Sequence, residues 1–210
     1  MNRAKILIAD DHRIVAEGLR VLLDSEYQLT EIVEDGRQLI EAALRIQPDV
    51  IVADVSMPLL NGLDAIEHLR GYGLNAKVIF LTMHSDALYA VRALRVGASG
   101  YLLKHSASSE LLTAIEEALA GRTYVAPQIV ELLERLPDLT SDSELSLTRR
   151  QREILQLVAE GHTARQVAKI LHISPRTVEG HRAHIMNLLG ARSTADLVQW
   201  AIRYGLVKPV

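Results

Sequence analysis

From Lys5 to Ala120, short apolar runs alternate with segments whose apolar residues recur every three or four positions. The runs Lys5–Ala9, Leu29–Val33, Val50–Ala53, Lys77–Thr82 and Gly100–Leu103 predict strands. Their nearly unbroken apolarity predicts burial on both faces, as in a parallel sheet covered by helices. The second run is the weakest of the five. Between the runs, the spacing predicts helices over Ile14–Leu23, Arg37–Ile46, Gly62–Leu69, Asp86–Val96 and Ser108–Ala120. The first is expected to turn Ile14, Val15, Gly18, Leu19 and Leu22 inward. The second should bury Leu39, Ile40, Ala43 and Leu44, and the fourth Leu88, Val91, Ala93, Leu94 and Val96. Five strand–helix units of this length predict an α/β fold, a doubly wound five-stranded parallel sheet.

The pattern then changes. Pro127 biases Ala126 away from helix, so Tyr124–Pro127 is expected to be extended or turn-like. Gln128–Leu136 predicts a short helix through Ile129, Leu132, Leu133 and Leu136, and Pro137–Ser146, acidic and rich in Ser, predicts a flexible linker. From Leu147 onward the reading is all helical. Thr148 with Gln151, and Thr163 with Gln166, are capping boxes that open two helices. Ser174 caps a third, with Pro175 in its first position, where the missing N–H costs nothing. Gly190 ends that helix, and Ser193–Asp196 opens a last one through Leu197, Val198, Trp200 and Ala201. A short helix, a tight turn at His172–Ile173 and a longer helix make a helix-turn-helix arrangement.

Charge sharpens this division. Residues 1–146 hold 13 Lys+Arg against 22 Asp+Glu, or −9, and residues 147–210 hold 10 against 4, or +6. An acidic part joined to a basic part implies two tasks, the basic one suited to a polyanion. There is no Cys, so disulfides, thiolate metal sites and a Cys nucleophile are excluded. No apolar stretch approaches the roughly 20 residues that span a bilayer, and no signal peptide is evident. A cytoplasmic protein with no membrane partner is expected.

The candidate chemistry lies at the strand ends. Asp10 and Asp11 follow the first strand, Asp54 the third, Thr82 ends the fourth and Lys104 follows the fifth. Parallel strands bring their carboxyl ends to one edge, where open α/β sheets place ligands. Carboxylates with waters suit Mg²⁺, a hard ion that prefers oxygen. A carboxylate can attack phosphorus to form an acyl phosphate. Lys104 can pair with the new phosphate, and the Thr82 hydroxyl can donate to it. Singly, each residue has a plainer reading: an Asp after a strand is often a turn residue, and a Thr there often reflects β-propensity. Five complementary residues at four of five strand ends are hard to assign to turn formation.

These residues carry a resemblance. Asp10-Asp11, Asp54 with Met57-Pro58 and Asn61-Gly62, Leu81-Thr82 and Gly100–Lys104 resemble the receiver domain of two-component response regulators. That resemblance implies a flavodoxin-like sheet. It implies Mg²⁺ held by Asp10, Asp11, Asp54 and the main-chain carbonyl of Ser56, with Asp54 as phosphoacceptor. It further implies Thr82 and Lys104 as phosphoryl sensors and Tyr101 as an aromatic switch. Ser56 and His84 stand at positions that tune phosphoryl lifetime in that family. His105 stands where many receivers have Pro, so the usual cis peptide is not expected.

The basic part resembles the helix-turn-helix domain of NarL/FixJ (LuxR-type) regulators. The matching residues include Leu147-Thr148, Arg152-Glu153, Ala159–Gly161, Val167-Ala168, Ile173-Ser174, Thr177-Val178, His181, Ile185 and Leu189-Gly190. On the helix Pro175–Leu189, Val178, Ile185 and Leu189 are expected inside. Arg176, Glu179, Gly180, Ala183 and Asn187 form an outer face. Arg176 and Asn187 suit base edges, and Gly180 and Ala183 allow close approach. Thr177, Arg182, His181 and Arg165 are placed for phosphates, with Arg149 and Arg150 as further candidates. Glu179 and Leu188 depart from the basic residues common in relatives. His162, His172, His181 and His184 lack a carboxylate or Cys partner, and no metal site is expected there.

The domains expected are a receiver over 1–121, a linker with a possible short helix over 122–146, and the helix-turn-helix domain over 147–210. The function implied is a DNA-binding transcriptional regulator, not an enzyme. A sensor histidine kinase would phosphorylate Asp54, and the C-terminal domain would then dimerise on double-stranded promoter DNA. A phosphatase using an Asp nucleophile would need a second carboxylate close after it, and Asp54 is followed by Val55-Ser56. A ligand-sensing regulator would need an apolar pocket in place of the acidic strand ends.

Overall fold

The computed structural model describes residues 3–83, 87–134 and 147–208. His84, Asp86, Leu136 and the acidic linker stretch 137–146 lie outside the described residues. The chain divides into two compact units, a sheet unit followed by a helical unit.

The sheet unit is built on β1 (Lys5–Ala9), β2 (Gln28–Val33), β3 (Val50–Asp54), β4 (Lys77–Thr82), β5 (Gly100–Leu103) and β6 (Tyr124–Val125), in the order β2-β1-β3-β4-β5-β6. Every pairing is parallel. The apolar runs lie in the middle: Ile6–Ala9, all of β3 and β5, and Val78–Thr82 are buried. β2 is an edge strand and only half-buried, which explains its weak sequence signal. The β1–β2 register slips between Ile6 and Leu7, skipping Thr30, whose hydroxyl donates to the Ile6 carbonyl at 2.8 Å. Strand order reverses between β1 and β3, the switch point where such sheets bind ligands.

Six strands stand where five were expected. The sixth lies in the stretch expected to be linker. Tyr124 N donates to Ser99 O and Ala126 N to Tyr101 O, both at 3.0 Å, so these residues extend the ladder on β5. The extended conformation expected of Tyr124–Pro127 is there, but two residues are too few to show the alternation that would mark a sheet strand. Pro127 then opens α6 (Pro127–Glu134), and Ala126 and Ile129 are fully buried. The sheet unit therefore continues past Gly121 to at least Glu134.

The helices flanking the sheet are α1 (Arg13–Leu23), α2 (Gly36–Ile46), α3 (Gly62–Gly71), α4 (Ala87–Arg95) and α5 (Ala107–Leu119). Several present a different face from the one expected. α1 buries Ala16, Leu19 and Leu23, while Ile14 is 90% and Val21 74% exposed. α2 buries Ala42 and Ala43 with Leu39, and Leu44 is exposed; α4 buries Tyr89, Ala90 and Ala93, and Leu94 is exposed. Small Ala side chains let these helices lie close to the sheet, and a bulky apolar residue is not thereby an inner one.

Asn61-Gly62 sets the start of α3. The Asn61 side chain accepts from Asp64 N at 2.9 Å, capping the helix, and Gly62 N donates to Val55 O at 2.8 Å. A Cβ on Gly62 would lie 2.1 Å from the Asp54 carbonyl oxygen. Only a residue without a side chain lets α3 begin so close to the end of β3.

The helical unit comprises α7 (Arg149–Ala159), α8 (Ala164–Leu171), α9 (Pro175–Leu189) and α10 (Thr194–Arg203). The capping boxes of α7 and α8 form as expected, Ser174 caps α9, and Ser193 with Asp196 makes a further box on α10. His172 closes α8 in the left-handed conformation. The core gathers Ile154, Leu155, Leu157, Val167, Leu171, Val178, Ile185, Leu197 and Leu206, with Leu189 packed partly against it. Among the described residues no helix is long and apolar enough to cross a membrane.

Two glycines separate close approach from helix propensity. Gly62→Ala is expected to lower stability in urea unfolding by about 1–3 kcal/mol or more, because the neighbour is backbone and must shift. Gly18→Ala, in the middle of α1 with nothing within 4 Å of the added Cβ, should raise it by roughly 0.8–1.0 kcal/mol.

Candidate functional site

Asp10 follows β1, Asp54 ends β3, and Lys104 opens a single 3-10 turn, Lys104–Ser106, directly after β5. Because β1 and β3 pair in register, with Ala9 opposite Ala53, the two carboxylates leave the sheet side by side. The Lys104 ammonium lies between them. It donates to Asp10 Oδ1 at 2.9 Å and to Asp54 Oδ2 at 2.8 Å. It also lies 2.8 Å from Asp10 Oδ2, too obliquely for a hydrogen bond, so that oxygen is buried with a charge contact alone. All three side chains are at most 3% exposed.

Burial pushes the Lys104 ammonium down, but the Asp54 charge, with hydrogen bonds to Asp10 and Asp54, more than reverses this and raises its pKa above the ordinary lysine value. With the folded value raised, Lys104 stabilises the fold fully below the unfolded pKa of about 10.4. That contribution is lost as pH rises through the folded value.

The remaining residues expected at this edge are present. Asp54 Oδ1 accepts from Ser56 N at 3.2 Å. Ser56 is buried, and among the described residues its hydroxyl has no hydrogen-bond partner. Thr82 ends β4 opposite Leu103 and is fully buried. Tyr101 is fully buried within β5, opposite Phe80 on one side and Val125 on the other. Every peptide bond among the described residues is trans, Lys104–His105 included.

The cluster holds one residue that the strand-end pattern does not predict. His12, just before α1, turns Nδ1 inward, 3.1 Å from Asp11 Oδ1, 3.2 Å from Asp10 Oδ1 and 3.8 Å from Asp54 Oδ2. A His directly after two carboxylates at a strand end is itself a ligand-like signal. A helix expected only from Ile14 leaves His12 in a loop.

The donor set fits a divalent cation. One ligand atom from each of Asp10, Asp11, His12 and Asp54 lies within 4.8 Å of the others. Three carboxylates against the Lys104 ammonium leave two negative charges, and the buried Asp10 Oδ2 still lacks a hydrogen bond. Oxygens in this number suit Mg²⁺, and the half-exposed Asp11 and His12 leave the cluster open to water.

In the helical unit, α9 turns Val178 and Ile185 inward and leaves Arg176, Thr177, Glu179, Gly180, Ala183 and Asn187 exposed. Arg165 on α8 is exposed, and His181 is half-buried. Arg182 is also half-buried and donates to Thr194 Oγ1 at 2.7 Å, tying α9 to α10. The Thr177 hydroxyl lies 2.8 Å from that of Ser174. Arg150 is structural: it donates to Glu153 at 2.7 Å and to the Leu171 carbonyl at 2.8 Å, closing the end of α8.

Similarity to known proteins respects the same division. The response regulator receiver domain family matches residues 6–116. The bacterial regulatory proteins of the luxR family match residues 145–201. The transcriptional regulatory protein DegU of Brevibacillus brevis is 31% identical over 227 residues, covering 99% of this chain and 96% of that protein. The oxygen regulatory protein NreC of Staphylococcus carnosus is 33% identical over 214 residues, covering 97% of this chain and 99% of that one. The structure of the Salmonella typhimurium RcsB response regulator, described for its conformational dynamism in DNA interaction, is similar with a TM-score of 0.67. It is 26% identical and is matched over 97% of this chain and 99% of that one.

Replacing Lys104 by Met removes the ammonium that bonds both Asp10 and Asp54. In urea unfolding without divalent cations, the sheet unit should lose about 3–5 kcal/mol. Mg²⁺ at 100 times its Kd should return about 2.7 kcal/mol of that. A variant as stable as the parent without Mg²⁺ would contradict the pairing.

Proposed function

This chain belongs to the two-component response regulators that join a receiver domain to a LuxR-type DNA-binding domain, and we propose that it is a cytoplasmic transcription regulator switched by phosphorylation of Asp54. The observation that carries the reading is the state of that carboxylate. It is buried at a strand end, oriented by Ser56 N at one oxygen and Lys104 Nζ at the other.

An Asp54 oxygen attacks the phosphorus of a phosphohistidine on a sensor kinase. The P–O bond forms as the P–N bond breaks, and the imidazole leaves with the electron pair. Asp10, Asp11, Asp54 and the main-chain carbonyl of Ser56 would hold Mg²⁺. When bound, the ion neutralises charge on the phosphoryl oxygens. Lys104 then pairs with the phosphoryl group, the Thr82 hydroxyl donates to it, and Tyr101 responds to the movement of Thr82. No second carboxylate follows Asp54 within two residues, so the site stores the phosphoryl group and is not built for turnover of phosphate esters.

The output is double-stranded promoter DNA, bound by a homodimer once Asp54 is phosphorylated. α9 enters the major groove. Arg176, Glu179, Gly180, Ala183 and Asn187 face the bases, and Thr177, His181, Arg182 and Arg165 face phosphates. The Thr194 bond of Arg182 and the Ser174 bond of Thr177 place those side chains in advance.

With Mg²⁺ and acetyl phosphate, mass spectrometry should find one acyl phosphate on the parent chain and none on Asp54→Asn. Beryllofluoride should shift the parent, not the variant, towards a dimer in sedimentation and tighten binding to its own promoter fragment. Acyl phosphate on Asp54→Asn would remove the site assignment, and an unchanged oligomer and DNA affinity would remove the switch.

Two arginines of the helical unit should behave differently. Arg176→Ala should weaken DNA binding by about 1–3 kcal/mol in fluorescence anisotropy, with melting unchanged. Arg150→Ala, which removes the bonds to Glu153 and to the Leu171 carbonyl, should lower thermal stability by the roughly 1.5–3 kcal/mol of a charged hydrogen bond.

A further inference from the structure

We propose that His12 is a nitrogen ligand of the cation site, and that it shifts the site's preference from Mg²⁺ towards first-row transition-metal divalent cations. The proposal rests on the reading of Asp10, Asp11 and Asp54 as cation ligands.

Placement comes first. His12 N donates to Asp10 Oδ1 at 2.8 Å, and the residue is extended, with φ −91° and ψ 93°, immediately before α1. The imidazole is therefore set by a tight turn whose other member is a buried carboxylate. Nδ1 faces inward, 3.2 Å from Asp10 Oδ1 and 3.1 Å from Asp11 Oδ1. Around a six-coordinate ion with bonds of about 2.1 Å, neighbouring ligand atoms stand roughly 3.0 Å apart. The two distances from Nδ1 match that spacing, and one ligand atom from each of Asp10, Asp11, His12 and Asp54 lies within 4.8 Å of the others.

A second observation shows that these donors face positive charge. The Lys104 ammonium contacts the same group, 2.8 Å from Asp54 Oδ2 and Asp10 Oδ2 and 3.3 Å from His12 Nδ1. A buried positive charge is thus already surrounded by two of the carboxylates and the imidazole. Asp10, 1% exposed, also keeps Oδ2 outside any hydrogen bond.

Chemistry then sets the preference. Oxygen donors alone suit Mg²⁺ and Mn²⁺ alike, whereas imidazole suits later first-row ions and adds little to Mg²⁺, which retains waters instead. A His beside three carboxylates raises affinity along the order Mn²⁺ < Co²⁺ < Ni²⁺ relative to Mg²⁺. Phosphorylation of Asp54 would then respond to which divalent ion is available, not to the kinase alone.

The test uses the full chain with Mn²⁺ and Co²⁺ as probes. Pulsed electron paramagnetic resonance of the Mn²⁺-loaded protein should show modulation from a directly bound imidazole nitrogen, absent in His12→Gln. Calorimetry should show the Co²⁺ to Mg²⁺ affinity ratio falling roughly tenfold or more in His12→Gln, with Mg²⁺ affinity held within about twofold as the sign that the site is intact. Mn²⁺ that binds the parent, is lost in Asp54→Asn and shows no nitrogen modulation would overturn the role of His12 while leaving the carboxylate site standing. Nitrogen modulation that persists in His12→Gln would overturn it as well. If no Mn²⁺ binds the parent at all, the carboxylate reading fails, and this inference with it.

Discussion

A parallel sheet delivers the carboxyl ends of its strands to one edge, and here that edge receives Asp10 and Asp54 from adjacent, in-register strands. Two buried carboxylates so placed would repel each other strongly in a medium of low polarity. Lys104, leaving the sheet two strands away, resolves this by bonding both. The arrangement remains short of positive charge by the amount a divalent cation supplies. Lys104 neutralises one of the three carboxylates at this edge, and the donors that remain are of the kind that suits a divalent cation.

Much of this is legible in the sequence because the determining signals are local. An apolar run ending in Asp reads directly as a buried strand with a carboxylate at its tip, and the expected bounds of β1, β3, β4 and β5 agree with the structure within a residue. Capping boxes are equally local, and those of α7 and α8 stand where Thr148 and Thr163 indicate. The features that are not legible depend on partners distant in sequence. The inner face of α1 is chosen by how close Ala16 can approach the sheet, and nothing near Ile14 reports that Ile14 will be exposed. β6 is two residues long and exists only because the edge of β5 offers a ladder. His12 is a different case: its partner Asp10 is only two residues away, and it is missed because a helix read from Ile14 leaves it in a loop.

The helical unit depends on a different set of interactions. Its helices are short, and α8 spans eight residues, too few to be stable alone. Side-chain caps at four helix starts, the Arg150 bond to the Leu171 carbonyl and the Arg182 bond to Thr194 fix where each helix begins and how α9 is held. This frees the exposed residues of α9 from structural duty. Glu179, Gly180 and Ala183 contribute nothing to the core, so the face they share with Arg176 and Asn187 can vary in specificity without loss of fold.

The sixth strand joins the site to the chain beyond the sheet. Tyr101 lies in β5 between the strand that ends in Thr82 and the strand that leads to α6, and its carbonyl accepts directly from Ala126. α6 packs on α4, the helix that comes after β4. The β4–β5 side of the sheet is therefore joined to α6 in two ways: along the β5–β6 ladder, and through the α4–α6 contact. The segment expected to be a passive linker begins as an integral part of the sheet, and a rearrangement of β5 cannot leave its position untouched. Because packed interiors deform in discrete steps and not continuously, a displacement of β5 would be carried into β6 and the start of α6 through the ladder that joins them.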